Sequence, residues 1–263
     1  MTRRLKLTFE FSGAPYHGLQ IQPSLPTVQG DLEQAWEKLT GSPVKDFAVA
    51  GRTDRGVHAY AMVAHLDTDT RLHLFSIKEG LNSLLRPRIA VREVAEVPPE
   101  FHARARAQSR RYRYLILNRR EVSPIWQNHA AHVPYPLDLT VMRREAKAVL
   151  GRHDFSSFRT SECQAKTPVT TLLALEITPI EHDLLAFDVH GTAFLHNMVR
   201  ILTGTLADLG RGRLETPMAD ILAARNRAAA GKTLPPHGLY FMGVTYPDSL
   251  APRATSNDRR SKE

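Results

Sequence analysis

One carboxylate in this chain is marked out by its neighbours. Asp54 lies in Ala50-Gly51-Arg52-Thr53-Asp54-Arg55-Gly56-Val57-His58-Ala59, with a glycine and an arginine on either side. The glycines allow positive φ and close approach of a ligand to the backbone, and the flanking guanidiniums favour an ionised acid. Such a carboxylate can act as a nucleophile or as a base toward an anionic ligand. A nucleotide-cradling loop is disfavoured, because Gly56 is followed by Val57 and His58 rather than by Lys and Ser/Thr. The same spacing also fits a tight turn whose Asp makes a local Asx bond.

A second group is basic and aromatic. Arg104, Arg106, Arg110, Arg111 and Arg113 are interleaved with Tyr112 and Tyr114. In one long strand from 105 to 118, period-two alternation places Arg104, Arg106, Arg110, Tyr112 and Tyr114 on one face. Guanidiniums of this kind hold phosphates while a ring stacks on an unpaired base, worth about 1–3 kcal/mol per base. A solvated strand face with buried tyrosines has the same pattern. Arg200 is a polar head on the largely apolar helix of Phe194-Leu195-His196-Asn197-Met198-Val199-Arg200; it either pairs with a carboxylate such as Asp54 or snorkels to the surface. Among 12 histidines only His129 and His132 are closely spaced, and nothing near them completes a ligand set, so no metal site is expected. Asp67-Thr68-Asp69 reads as a strand-end turn, and Cys163, the one cysteine, as a bystander.

The elements that must position these residues follow from periodicity. Leu5, Leu7, Phe9 and Phe11 alternate with polar residues as in a half-buried strand. Thr27 is placed to cap a helix with Val28, Leu32, Ala35, Trp36 and Leu39 on one face, stopped by Gly41. Strands over 46–50 and 60–66 flank the Asp54 loop, and a helix over 74–85 and a strand over 89–97 complete a β-α-β-β-α-β order. The second half repeats that order without a visible sequence repeat. It has the strand over 105–118, a helix over 139–150, strands over 167–180 and 184–190, a helix from about 194, a further one starting with Thr216-Pro217 at N-cap and N1, and a strand over 239–246. The expected fold class is α+β: two ferredoxin-like (βαββαβ) halves with mainly antiparallel sheets, joined around a basic central cleft. The expected domains are 1–103 with the Asp54 loop, 104–247 with the Arg/Tyr strand, and a disordered tail over 248–263 rich in Ser, Arg, Asp and Lys.

Composition narrows the partners. A chain of 263 residues with 42% hydrophobic content can bury a core. Its 35 Lys+Arg against 27 Asp+Glu leave a net charge of +8, with a pI of about 9.8, which points to a polyanion such as nucleic acid. An anionic membrane is the rival, but no run of about 18 apolar residues could span one and the Met-Thr-Arg-Arg start lacks a signal peptide pattern, so a cytoplasmic protein is expected.

The loop Gly51 to Ala59, Arg110-Arg111-Tyr112-Arg113-Tyr114, His153-Asp154-Phe155-Ser156-Ser157-Phe158, Phe194 to Arg200 and Gly238-Leu239-Tyr240 occur in that order, and together they closely resemble the tRNA pseudouridine synthase A family from about Leu5 to Pro247. The resemblance implies isomerisation of uridine to pseudouridine at positions 38, 39 and 40 in the anticodon stem-loop of tRNA, by a homodimer with neither metal nor organic cofactor. Carried over by position, Asp54 resembles the catalytic nucleophile, Tyr112 the residue that stacks on the target base and assists proton transfer at C5, Arg200 the arginine paired with Asp54, Leu239 the apolar pocket wall and Arg52 a residue that helps to extrude the nucleotide. Arg55, Arg106 and Arg110 are the choices for RNA backbone contacts. The chain departs from the family at Arg55, where alanine is usual, at Gly18-Leu19-Gln20-Ile21-Gln22, where Gly-Trp-Gln-Arg-Gln is usual, and at Ser12, where Asp is common.

A noncatalytic RNA-binding protein of the RNA-recognition type is the alternative, since paired ferredoxin-like sheets also describe such modules. A carboxylate facing RNA has no use in binding alone and favours chemistry. A glycoside-cleaving enzyme would need two carboxylates, and the chain offers one in a strong context.

Overall fold

Alternation along the first strand sets up the first of two units. In β1 (Arg3–Phe11), Leu5, Leu7, Phe9 and Phe11 are buried, and the residues between them are not. α1 (Val28–Thr40) begins where the Thr27 hydroxyl accepts from the Gly30 N–H at 3.2 Å and ends at Gly41 in the left-handed region. β2 (Lys45–Val49), β3 (His58–Thr68), α2 (Leu74–Leu85) and β4 (Ile89–Val97) follow, so the order is the β-α-β-β-α-β read from the sequence. β1 is antiparallel to β3 on one side, with Leu7 opposite Ala64, and to β4 on the other, with Leu7 opposite Val94; β2 is antiparallel to β3. α1 and α2 pack together, with Trp36 buried between apolar neighbours rather than offered to a ligand.

This computed structural model describes residues 2–163 and 165–252. Of these, 2–54, 59–108 and 243–252 make one compact unit, and 55–58 together with 109–242 make the other. The division after 108 falls later than the expected 103, the Asp54 loop is shared between the units, and the last strand ends in the first. Of the tail expected to be disordered, Asp248–Leu250 form a single 3-10 turn, and 253–263 lie outside the described residues.

The second unit opens with β5 (Ser109–Leu117). The long strand expected from 105 is corrected here: Arg104 and Arg106 lie in an exposed turn where the Arg106 N–H donates to the His102 carbonyl at 3.0 Å. That turn is locked into the first unit, because Arg4 Nη1 donates to the Pro99 and Phe101 carbonyls at 2.8 Å each, the Ala103 N–H donates to His65 Nδ1 at 3.1 Å and the Tyr246 hydroxyl donates to the Ala103 carbonyl at 2.7 Å. After β5 come β6 (Ala131–His132), α3 (Leu139–Ala146), β7 (Gly151–Asp154), β8 (Val169–Ile180), β9 (Leu184–Gly191), α4 (Met198–Gly210), α5 (Met218–Ala224) and β10 (Leu239–Thr245). β10, β5, β9, β8 and β7 are neighbours in that order; the β5–β9, β9–β8 and β8–β7 pairs are antiparallel, and β6 adds a short parallel pair to β5. The architecture is mixed α and β with largely antiparallel pairing.

Three helix ends differ from the sequence reading, the least of them in α5, which starts at Met218 with Pro217 rather than Thr216 at its cap. The helix expected to run to Leu150 stops at Ala146 and tightens into a 3-10 turn over Lys147–Val149. α4 starts at Met198 rather than near Phe194, because Asn197 adopts φ 61°, which cannot continue a helix inward. α4 is buried almost all round, and a Cβ on Gly204 would stand 1.9 Å from the Lys232 carbonyl oxygen. Only glycine lets the chain after α5 run this close along the helix.

Candidate active site

The upstream arm of the Asp54 loop is held by two backbone bonds. The Ala50 N–H donates to the Val63 carbonyl at 2.8 Å, and the Leu19 N–H donates to the Thr53 carbonyl at 3.1 Å. Gly18 and Leu19 in turn accept from the Val28 and Gln29 N–H groups at the start of α1, so the Gly18–Gln20 stretch is a seat between helix and loop. Leu19, where the family has tryptophan, is buried in it, whereas Ile21 is exposed. Thr53 is buried, and its hydroxyl has no partner among the described residues. Asp54 is partly exposed; Arg52 and Arg55 are exposed. Of the two glycines that bracket the acid, Gly56 alone takes positive φ, at 79°. A side chain there would also press on Pro236, 3.2 Å from its Cγ.

The loop's downstream arm is anchored in the second unit by His58. Its ring is buried, and Nε2 lies 2.9 Å from the Asn128 carbonyl oxygen, an arrangement in which Nε2–H donates. The ring stacks on Tyr240, centroids 4.8 Å apart and planes 17° from parallel, and on His129 at 5.2 Å and 28°. Burial lowers the His58 pKa to about 4, with the Asn128 carbonyl pulling the other way. Burial likewise pushes the Tyr240 hydroxyl up to about 12 and His237 down.

The remaining predicted residues of the second unit lie on β5, α4 and β10. Tyr112 is buried, its ring edge-on to Phe194 at 4.9 Å and 75° and to Phe241 at 5.2 Å and 89°, which fixes its orientation. Arg200 Nε donates to the Leu234 carbonyl at 2.8 Å and Nη1 donates to Asn197 Oδ1, so the left-handed turn that delays α4 also supplies a ligand for the guanidinium. Tyr114, fully buried, donates its hydroxyl to the Pro235 carbonyl at 2.7 Å; burial drives its pKa well above the ordinary value, against the pull of the Arg200 charge. Leu239 is buried at the start of β10. Arg110 is half-buried, with Nη1 donating to the Thr192 carbonyl at 2.9 Å, and Arg113, on the opposite face, makes a two-pronged pair with Asp188 at 2.8 and 2.9 Å.

The structure thus gathers Arg200 and Leu239 around one short segment, Leu234–Tyr240, which also receives Gly56 and His58. Arg52 and Asp54 belong to the first unit, as does Arg106, in the turn after β4. Sequence reasoning named His58, Tyr114 and Tyr240 within motifs but gave them no holding role, and it did not mark the segment itself. The available signal was that Val57-His58 and Gly238-Leu239-Tyr240 belong to the motifs that carry the resemblance.

The chain matches the family model described as "tRNA pseudouridine synthase" over residues 9–104 and 146–247. It is 42% identical over 261 residues to the "tRNA pseudouridine synthase A" of Myxococcus xanthus, covering 99% of this chain and 98% of that one. It is 45% identical over 250 residues to the protein of the same name from Chromobacterium violaceum, covering 94% and 95%. Among solved structures, the "Crystal Structure of a Cbf5-Nop10-Gar1 Complex" aligns with 90% of this chain and 48% of its own at 11% identity, with a TM-score of 0.40, too low to carry weight.

Proposed function

We propose, for a chain that belongs to the tRNA pseudouridine synthase family, that it isomerises uridine to pseudouridine at positions 38, 39 and 40 in the anticodon stem-loop of tRNA, with Asp54 as its reacting carboxylate. The carrying observation is the match of nearly the whole chain to relatives at 42% and 45% identity, with Asp54 as the acid of the Arg-Thr-Asp-x-Gly-Val-His loop. The reaction breaks C1′–N1, turns the uracil and joins C1′ to C5; the C5 proton leaves to solvent and N1 gains one. It is redox-neutral and calls for an aligned carboxylate, a stacking surface and a closed pocket, with no metal or organic cofactor. A carboxylate held this way serves attack at C1′, addition at C6 or removal of a sugar proton.

In this reading Tyr112 stacks on the target base, Leu239 walls the pocket, Arg200 is the arginine that answers Asp54, and Arg52 helps to extrude the nucleotide. The edge-on clamp of Phe194 and Phe241 on Tyr112 supports the first of these roles, since a stacking ring gains most when it is already oriented. Arg55, Arg106 and Arg110 contact phosphates, which suits the exposure of Arg55 and Arg106. Each half is ferredoxin-like, as the βαββαβ order of the first unit supports. The protein works as a cytoplasmic homodimer on the anticodon arm. No helix among the described residues is long and apolar enough to cross a membrane.

The test is tritium release from C5-labelled uridine in tRNA, with carbodiimide mapping of the product. Release at positions 38 to 40 is expected. Tight tRNA binding with no release from several tRNAs would leave the noncatalytic RNA-binding reading in its place.

A further inference from the structure

The Leu234–Tyr240 segment touches the residues of the candidate site at five of its positions. Leu234 accepts from Arg200 Nε at 2.8 Å and its own N–H donates to the Arg200 carbonyl at 3.3 Å. Pro235 accepts from the Tyr114 hydroxyl at 2.7 Å, Pro236 lies against Gly56, and a Cβ on Gly238 would be 2.7 Å from Tyr114 Cζ. At the far end the Tyr240 ring lies on His58, and its hydroxyl donates to the His129 carbonyl at 2.8 Å. The near end is tied to α4, where Thr205 Oγ1 accepts from the Gly231 N–H at 3.0 Å and Asp208 Oδ2 from the Lys232 N–H at 3.3 Å.

His58 is buried, with its Nε2 committed to the Asn128 carbonyl, so it does not read RNA. What it can do is fix the backbone of Gly56-Val57-His58. Asp54 is two residues upstream of Gly56, and across two peptide units its Cα stays within about 7–8 Å of that of Gly56. Upstream, the Leu19 bond fixes Thr53. Asp54 therefore directly follows the anchored Thr53, and only Arg55 separates it from Gly56, which is how a loop acquires the alignment that the reaction needs.

We propose that His58 and Tyr240 are positioning residues for the isomerisation: their stack seats the downstream arm of the Asp54 loop on the segment that also ties Arg200. The role rests on the synthase reading above. It accounts for a histidine and a tyrosine that the reaction does not call on and that are nevertheless packed face to face.

The experiment uses the full-length protein and C5-tritiated tRNA under single-turnover conditions, with tRNA affinity and melting temperature measured in parallel. Tyr240→Leu and His58→Gln remove the stack and should lower the rate by about 30- to 100-fold, as expected for a displacement near 1 Å, with tRNA affinity held within about threefold. Tyr240→Phe keeps the ring and should restore the rate to within about threefold of the parent. Amide exchange on the parent protein should show Val57 and His58 as protected as the middle of α4.

A parent protein that releases no tritium sinks the synthase reading itself. An active parent with undiminished rates in Tyr240→Leu and His58→Gln overturns the positioning role alone, as does a loss of affinity that parallels the loss of rate, or a Phe variant as slow as the Leu variant. If neither stack-breaking variant folds, the exchange measurement decides: fast exchange at Val57 and His58 overturns the proposal.

Discussion

Arg200 Nε donates to the Leu234 carbonyl at 2.8 Å, and the Leu234 N–H donates back to the Arg200 carbonyl at 3.3 Å, so helix and segment hold each other through a single residue pair. With Nη1 on Asn197, the guanidinium is oriented before any substrate arrives. Lysine carries the same charge but cannot reproduce a planar fork bonded at two nitrogens. For Arg200→Lys, turnover should fall by about 100-fold with tRNA affinity within a few-fold and stability down by about 1 kcal/mol. Turnover near that of the parent would show that charge alone suffices.

For Asp54→Asn, turnover should vanish while tRNA affinity stays within about threefold, because the amide keeps size and hydrogen bonding but is neither a nucleophile nor a base. Retention of more than a trace of tritium release would assign the chemistry to another residue.

For Tyr112→Phe, the ring stays clamped between Phe194 and Phe241 and only the hydroxyl is lost. Affinity should hold and turnover should drop by about 10- to 100-fold, in the range of a lost proton-transfer partner. Equal losses of affinity and turnover would make Tyr112 a structural residue.

Stability should fall with pH on the acid side of neutrality. The His58 pKa is lowered from 6.5 to about 4 in the folded protein, chiefly by burial, with His129 and His237 facing the ring from neighbouring segments and the Tyr240 hydroxyl beside them. Between those two values the unfolded chain binds the proton and the folded one does not, so the stability present above pH 6.5 is lost on the way down and levels off below about 4. A shift of that size corresponds to ~3 kcal/mol. His65 and His237 are lowered by burial and act with the same sign. Urea unfolding from pH 7.5 to 4.5 measures it; His58→Gln should show a shallower fall, and an identical slope would mean that His58 titrates normally.

Affinity for tRNA should fall steeply with salt, with a log–log slope of several units. Arg106→Ala, at an exposed turn position, should reduce that slope by about one unit with no change in stability or in the uridine modified. Arg110→Ala should do the same but also cost about 1 kcal/mol, since its guanidinium is bonded to the Thr192 carbonyl. A binding constant indifferent to salt would remove phosphate contacts from the account.

How much of this was legible in the sequence depends on how far a signal reaches along the chain. The alternation of Leu5, Leu7, Phe9 and Phe11, the Thr27 cap and Gly41 stop of α1, and the bounds of α2 are decided within one turn or one strand, and all appear as read. β6 and β7, of 2 and 4 residues, are too short to carry a period, and exist because β5 and β8 offer them partners. Apolar spacing sets the start of α4 too early because it does not reveal a left-handed Asn197. Alternation assigns Arg104 and Arg106 to a strand face because it continues by chance through a turn that Arg4, His65 and Tyr246 impose from distant positions.

The sequence by itself determined the Asp54 loop: a lone acid between glycines and arginines, in a motif shared with the family, needs no coordinates to be found. Tertiary structure alone decided what holds the site. Arg200 meets Leu234 across 34 positions and Tyr114 meets Pro235 across 121, and His58 finds Tyr240 only when β10 returns beside β5. Pairings of that kind follow from where the folded chain comes back to itself, and local residue preferences, which act over a few neighbouring positions, carry no record of it.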